Sequence, residues 1–309
     1  MDLVMNKHRD LKNKVKAIYG VPSTYKGIVS LMSNWIVLIT LMIIIVYSSR
    51  LIFPFNVLCY FFLSFLVGCA LRGLDNLTHD ASHYNLFSSK KLHNNLECII
   101  CFPVMKTLEG YRVSHMKHHR NYRKNLDDDP DTLQLRRWGL ENFENKKKKH
   151  KIFKFYFLRQ VTLFYFIDNL KHSFIPHFFS KKSIKSRLIF WFLLFSIITI
   201  SSSWYSFLLG YLIPYFFWLP YIRFIAESAE HTNVELSKEY SNSRNNIGIF
   251  HRFFLHPHND GYHQLHHLIA SIPGYNLKNA HNYLIKHANI QNDLIESKSP
   301  IETANQIFN

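Results

Sequence analysis

Charged side chains are absent from three long stretches of the chain: Gly27 to Ser49, Leu51 to Leu71 and Leu188 to Ile222, which are 23, 21 and 35 residues long and mostly apolar. A bilayer hydrocarbon core about 30 Å thick takes roughly 20 helical residues. The first two stretches therefore predict single membrane-spanning helices, with Arg50 and Pro54 marking the turn between them. The third is too long for one crossing, since at 1.5 Å per residue it would extend about 52 Å. The polar run Ser201 to Ser206 predicts a turn inside it, giving a third span over about Leu188 to Ser201 and a fourth over about Tyr205 to Ala226. Two further segments are expected to lie on the membrane without crossing it. Cys98 to Met105 is apolar but short, and Ile152 to Leu170 mixes aromatics with Lys154 and Arg159 as an interfacial helix does.

The near-zero mean hydropathy places a large polar portion outside the bilayer. The predicted fold class is all-α integral membrane, with four transmembrane helices and a helical cytoplasmic cap that holds a His-rich di-metal site. Its parts are a basic N-terminal segment (1–26), spans 1 and 2 (27–71), a cap segment (72–187), spans 3 and 4 (188–226), and a second cap segment with a polar, solvated tail (227–309).

The formal charge of +16 raises the question of nucleic acid. The basic residues cluster instead beside the apolar runs, in Lys7 to Lys26 and Lys146 to Arg187, where segments facing anionic lipid on the cytoplasmic side carry them. No nucleic-acid partner is expected, and the charge bias puts both termini and the central segment in the cytoplasm. The first apolar run is too long for a secretory signal core and reads as a retained anchor. Of the four cysteines, Cys59 and Cys69 fall inside a predicted span. Cys98 and Cys101 make one C-x2-C pair in an apolar stretch without a second pair, so they read as small hydrophobes.

The chemistry is in the histidines, nineteen in all and mostly grouped. His79 and His83 form H-x3-H, while His115, His118 and His119, and again His263, His266 and His267, form H-x2-H-H; His231 stands alone. Residues three or four apart share a helix face, whereas an adjacent pair diverges by about 100° and can serve two neighbouring metals. All of these histidines fall on one side of the membrane only if the 35-residue run crosses twice, as the charge bias requires. Imidazole suits iron, zinc, copper and nickel alike. Nine ligands exceed any mononuclear need, and two irons with an open position for oxygen match the count.

In order, spacing and flanking residues, the region from about Leu71 to Leu277 resembles the membrane fatty-acid desaturase superfamily. H-D-A-S-H follows the second span as the first box, and H-M-K-H-H with D-D-D-P-D at Asp127 to Asp131 matches the second. Y-H-Q-L-H-H-L-I-A-S-I-P-G-Y-N-L, Tyr262 to Leu277, matches the third, and Ala229-Glu230-His231 resembles bacterial members that carry Ala-Glu-His before it. The resemblance implies a non-haem di-iron centre held by His79, His83, His115, His118, His119, His231, His263, His266 and His267. Where acyl-CoA desaturases have N-x3-H, this chain has Glu227 and His231, so Glu227 is a candidate direct ligand; alternatively Glu227 or Glu230 accepts an imidazole N–H behind the centre. Asp127, Asp129 and Asp131 are candidates for orienting ligand histidines. His256 and His258, near the third box, are expected behind the centre or on the surface.

The resemblance further implies an O2-dependent desaturase that takes two electrons from a separate ferredoxin or cytochrome b5, since no His-Pro-Gly-Gly haem motif is present. The substrate is expected to be lipid-linked or amphiphilic, and the location a bacterial inner membrane with a cytoplasmic active site. A hydroxylase or related oxygenase of the same superfamily would use the same centre. A membrane metal-binding or transport protein is disfavoured, because the predicted spans hold no His, Asp, Glu or Lys.

Overall fold

The computed structural model describes residues 2–140, 152–288, 290 and 293–308; the lysine-rich stretch 146–150 lies outside them. Among the described residues, three helices are long and apolar enough to cross a membrane: Thr24–Ser48, Phe55–Ser82 and Trp204–His231. The first starts where the Ser23 hydroxyl accepts a hydrogen bond from the Lys26 amide. The other two run well past the charge-free windows. Arg72 and Asp75 interrupt the apolar run without ending the helix, because each finds a buried ion partner. Arg223 does the same in the later helix, so both carry a polar, histidine-bearing end beyond their apolar length. The predicted third span lies in Ile184–Ile200, a helix of 17 residues. It ends at the serine turn, where Ser202 takes a positive φ of 52° before the next helix begins.

The helices Phe55–Ser82 and Trp204–His231 pack parallel. The Tyr60 hydroxyl donates to the Leu209 carbonyl, Trp218 Nε1 donates to Ser64 Oγ at 2.9 Å, and Arg223 Nη2 donates to Asp75 Oδ1 at 2.9 Å. Gly68 makes room for this approach, since a Cβ there would fall 2.6 Å from Trp218 Cβ.

Three expectations need correction. Cys98 to Met105 does not lie on a membrane: Ile100, Cys101, Phe102 and Val104 are fully buried in the core against the long helices, and Trp35, Tyr211 and Tyr215 donate to the carbonyls of Ile99, Pro103 and Val104. An apolar run too short to cross a bilayer is equally suited to a protein interior. The C-terminal tail is not solvated. Ile295–Ser297 (β2) pairs in parallel with Arg244–Asn246 (β1), and the helix Pro300–Phe308 buries Ile307 and Phe308. The fold is therefore not purely helical. Strands of three residues are too short to show an alternating pattern. The stretch 152–170 is helical, burying Phe155 and Tyr165 and exposing Phe157 and Val161.

The first long helix is seated by Gly27, where an added Cβ would lie 1.9 Å from the Leu86 carbonyl oxygen, whereas at Gly210 it would meet Met42 at an ordinary 3.6 Å. Gly27→Ala is expected to destabilise the protein by about 1–3 kcal/mol through overpacking against backbone, and Gly210→Ala to leave stability level or slightly raised. Thermal melts of the detergent-purified variants check this, and equal melting points would show that the contact at Gly27 yields freely.

Candidate di-metal centre

Four helical segments deliver the histidines. His79 and His83 sit at the C-terminal end of Phe55–Ser82, the latter as its capping residue. His115, His118 and His119 lie on Leu108–Asn121, whose first turn is capped by the Thr107 hydroxyl. Arg112 of that helix donates to the carbonyls of Ser82 (2.9 Å) and Ala81 (3.3 Å), tying it to the end that carries His79 and His83. His231 ends the long helix Trp204–His231. There the fully buried Arg244 of β1 donates to the carbonyls of Ala229 (2.6 Å) and Thr232 (3.1 Å). His263, His266 and His267 occupy the short helix His263–Leu268, braced by Asn245 of β1, whose Oδ1 accepts from the Gln264 amide at 3.0 Å.

These segments bring the nine imidazoles into two groups. His79, His83, His115, His119 and His266 gather around one point. Their Nε2 atoms lie 3.1 Å apart for His79 and His266, 2.9 Å for His83 and His115, 3.0 Å for His115 and His119, and 2.9 Å for His119 and His266. His118, His231, His263 and His267 form the second, with Nε2 separations of 3.3 Å between His118 and His267, 3.0 Å between His231 and His263, and 3.2 Å between His263 and His267. Each adjacent pair is divided: His119 and His266 face the first group, His118 and His267 the second. The i, i+4 pairs His115/His119 and His263/His267 stay together, as one helix face requires.

The donor set suits a metal. Two facing imidazole nitrogens can share at most one proton, so five converging nitrogens cannot satisfy one another. Nitrogens about 2.1 Å from one ion at right angles would stand about 3.0 Å apart. Burial, and then the neighbouring histidines, lowers the pKa of His115, His119, His263, His266 and His267, with His119 brought down to about 2. These rings are thus held neutral, the form that binds metal. His118 goes the other way: burial opposes its protonation, but Asp131 and Asp129 outweigh it and raise its pKa.

Carboxylates stand behind three of these rings. Asp129 Oδ1 lies 2.8 Å from His118 Nδ1, and the Thr132 hydroxyl donates to its other oxygen at 2.6 Å. Asp260 Oδ1 lies 2.9 Å from His79 Nδ1. Glu230 Oε1 sits between His256 Nδ1 (3.1 Å) and His263 Nδ1 (3.6 Å). Asp131 is a looser neighbour of His118, at 3.4 Å.

Asp127 is not brought to the site. Its carboxylate is exposed and pairs with Arg136 at 2.6 Å, because Asp129 and not Asp127 turns inward, as the N-cap of Pro130–Arg137. Nor does Glu227 join either group: Gln134 Nε2 donates to it at 2.6 Å and Arg72 lies 3.8 Å away. Sequence reasoning missed Asp260, which sits in Asn259-Asp260-Gly261, a string that reads as an ordinary turn. His256 proves buried behind the centre, and His258 lies 3.0 Å from Asn34 Oδ1 of the first long helix. A cavity of about 350 Å³ opens beside His79, His115 and His263, so it reaches both groups.

The chain is similar to known proteins. The fatty acid desaturase family model matches residues 54–293. An sn-1 acyl-lipid omega-3 desaturase (ferredoxin) of Nostoc sp. (strain 36) is 25% identical over 225 residues, 65% of this chain and 60% of that protein. Dihydrorhizobitoxine desaturase of Bradyrhizobium elkanii is 27% identical over 225 residues, 67% of this chain and 62% of that protein. The chain thus spans about three-fifths of the length of these curated relatives. With the family model matched over most of its length and both histidine groups inside the matched region, the chain belongs to the fatty acid desaturase family.

Proposed function

We propose that this protein is a multi-pass membrane di-iron desaturase that uses O2 and two external electrons to introduce a C=C bond into an amphiphilic, acyl-type substrate. The observation that carries the reading is the division of nine imidazoles into a set of five and a second set of His118, His231 and His267 to which His263 is joined through His231 and His267, in a member of this family. His79, His83, His115, His119 and His266 would hold one iron, and His118, His231, His263 and His267 the other. Bound there, a di-iron pair supplies the oxygen-activating redox chemistry that removes two hydrogens from a saturated C–C bond. The net conversion takes one O2, two electrons and two protons, and returns two waters with the alkene. The chain's own part is to orient the ligands. Asp129 and Asp260 keep a proton on Nδ1 of His118 and His79, which leaves each Nε2 lone pair free and pointed.

Topology supports four crossings. Phe55–Ser82 and Trp204–His231 run parallel, and both deliver histidines at their C-terminal ends. Two parallel spans need an intervening return, and Ile184–Ile200 is the helix available for it. Its 17 residues extend about 25 Å, short for a bilayer core but within what thinning and flanking residues accommodate. The basic flanks favour a cytoplasmic histidine end. The word ferredoxin in the name of the Nostoc relative favours a ferredoxin over a cytochrome b5 as the donor.

Purified protein is expected to contain about two irons per chain, and His118→Ala and His266→Ala each to lose metal, since they serve different groups of one centre. Metal analysis reads this directly; zinc in place of iron in protein purified iron-replete would remove the reaction class. With the donor supplied, the product should weigh two hydrogens less than the substrate. A gain of one oxygen would make the enzyme a hydroxylase.

Asp129→Ala should weaken iron retention by about 10–100-fold against a chelator, and Asp127→Ala should leave it unchanged. Equal retention in the two variants would show that Asp129 does not orient His118.

A further inference from the structure

We propose that the cavity beside the histidine groups holds a compact substrate by its carboxylate, on Lys106 and Asn169, so that the reacting carbon lies within a few bonds of that anion. The inference rests on the desaturase reading for its chemistry; the anchor rests on the cavity alone.

The cavity is small and polar. About 350 Å³ holds on the order of a dozen water-sized groups, and only Pro130, Leu133 and Pro220 among its lining residues are wholly aliphatic. Beyond these three residues, the apolar wall open to an extended acyl chain is made by the rings of Tyr111, Trp138 and Tyr165. The same cavity is lined by His79, His115 and His263, so whatever fills it is next to the reacting position.

Its wall carries spare hydrogen-bond donors. Of the carboxylates along the wall, Glu227 is held by Gln134, Asp168 by Arg137 (3.2 Å) and Trp138 (3.0 Å), and Asp260 by His79, while Asp131 and Glu230 face imidazoles, of His118 (3.4 Å) and of His256 (3.1 Å) and His263 (3.6 Å). Lys106 is different. Its ammonium carries three N–H groups, and among the described residues its one ion partner is Asp75 at 3.0 Å. Asn169 is 7% exposed and receives Arg223 Nη1 on its side-chain oxygen at 2.7 Å. A guanidinium only donates, so Asn169 presents oxygen to Arg223, and among the described residues no partner lies within hydrogen-bond distance of its amide NH2. A buried donor left unsatisfied costs about 1–3 kcal/mol, which an anionic oxygen would recover.

Both donors are set by one buried pair. Asp75 accepts Arg223 and holds Lys106, and Arg223 in turn fixes Asn169. The anchor is also close to the centre: Lys106 Nζ lies 4.6 Å from the centroid of the Tyr111 ring, which stacks on His115 at 5.5 Å. One aromatic ring links the cation to a histidine of the first group. That proximity limits the reacting carbon to the head of the molecule.

The test is calorimetric titration of the metal-loaded full chain in detergent with hexanoate and with methyl hexanoate. Hexanoate should bind at least tenfold more tightly, and Lys106→Met and Asn169→Leu should each remove that preference at unchanged metal content. Asn169→Leu leaves every charge in place, so it carries the test where Lys106→Met fails to fold. Equal binding of acid and ester, or a preference that survives both substitutions, overturns the anchor. Preference for the acid in protein that binds no iron would keep the anchor and remove the desaturase reading; desaturation of intact lipid with no preference for the acid would do the reverse.

Discussion

The geometry of this protein depends on one buried ion pair between two parallel helices. Arg223 of Trp204–His231 meets Asp75 of Phe55–Ser82 through two nitrogens, and both residues are almost wholly buried. The pair sits one turn before His79 on one helix and about two turns before His231 on the other. It therefore sets the relative height at which the two ends deliver their histidines. A buried ion pair is weak evidence for stability, since desolvation offsets most of its attraction. Removing one partner is another matter and costs about 3–5 kcal/mol. Here the pair is best understood as a register device: neighbouring apolar side chains could pack at several heights, and a bidentate guanidinium on a carboxylate has one. Arg72 and Lys106 join the same carboxylate, which extends that constraint into the cavity wall.

How much of this is legible in the sequence follows from which constraints leave a pattern. Metal ligation does, because it demands particular residues at helix-face spacing; His115, His118, His119, His263, His266 and His267 can be grouped from spacing alone, and so can the divergence within each adjacent pair. Charge-free length does as well, which is why the turn at Ser201 to Ser206 is readable. What leaves no pattern is tertiary. Asp260 acts from a loop that reads as a turn, and Asp127 is indistinguishable from Asp129 until Pro130 begins a helix and turns one of them inward. Charge is a poor guide to where the long helices end, since Arg72, Asp75 and Arg223 are buried by pairing with one another and with nearby acids. The paired strands β1 and β2 brace His231 and the third histidine box through Arg244 and Asn245, yet three-residue strands carry no readable alternation.

The arrangement of charge around the histidines bears on what the site is for. Asp129 and Glu230 are buried, and among the described residues neither has a Lys or Arg ion partner. Burying a carboxylate without a cation is costly enough that such groups usually neutralise or find a partner. Here their neighbours are imidazoles, and most of the rings facing the two group centres are held neutral by burial. Neutral imidazole ligands contribute no charge to balance two multivalent cations. The compensating anions would then have to stand one ring further out, where Asp129 and Asp260 are found at 2.8 and 2.9 Å from the outward nitrogens of His118 and His79. A purely structural histidine cluster would need no such outer ring of acids. Carboxylates placed behind the imidazoles leave the space beside His79, His115 and His263 open.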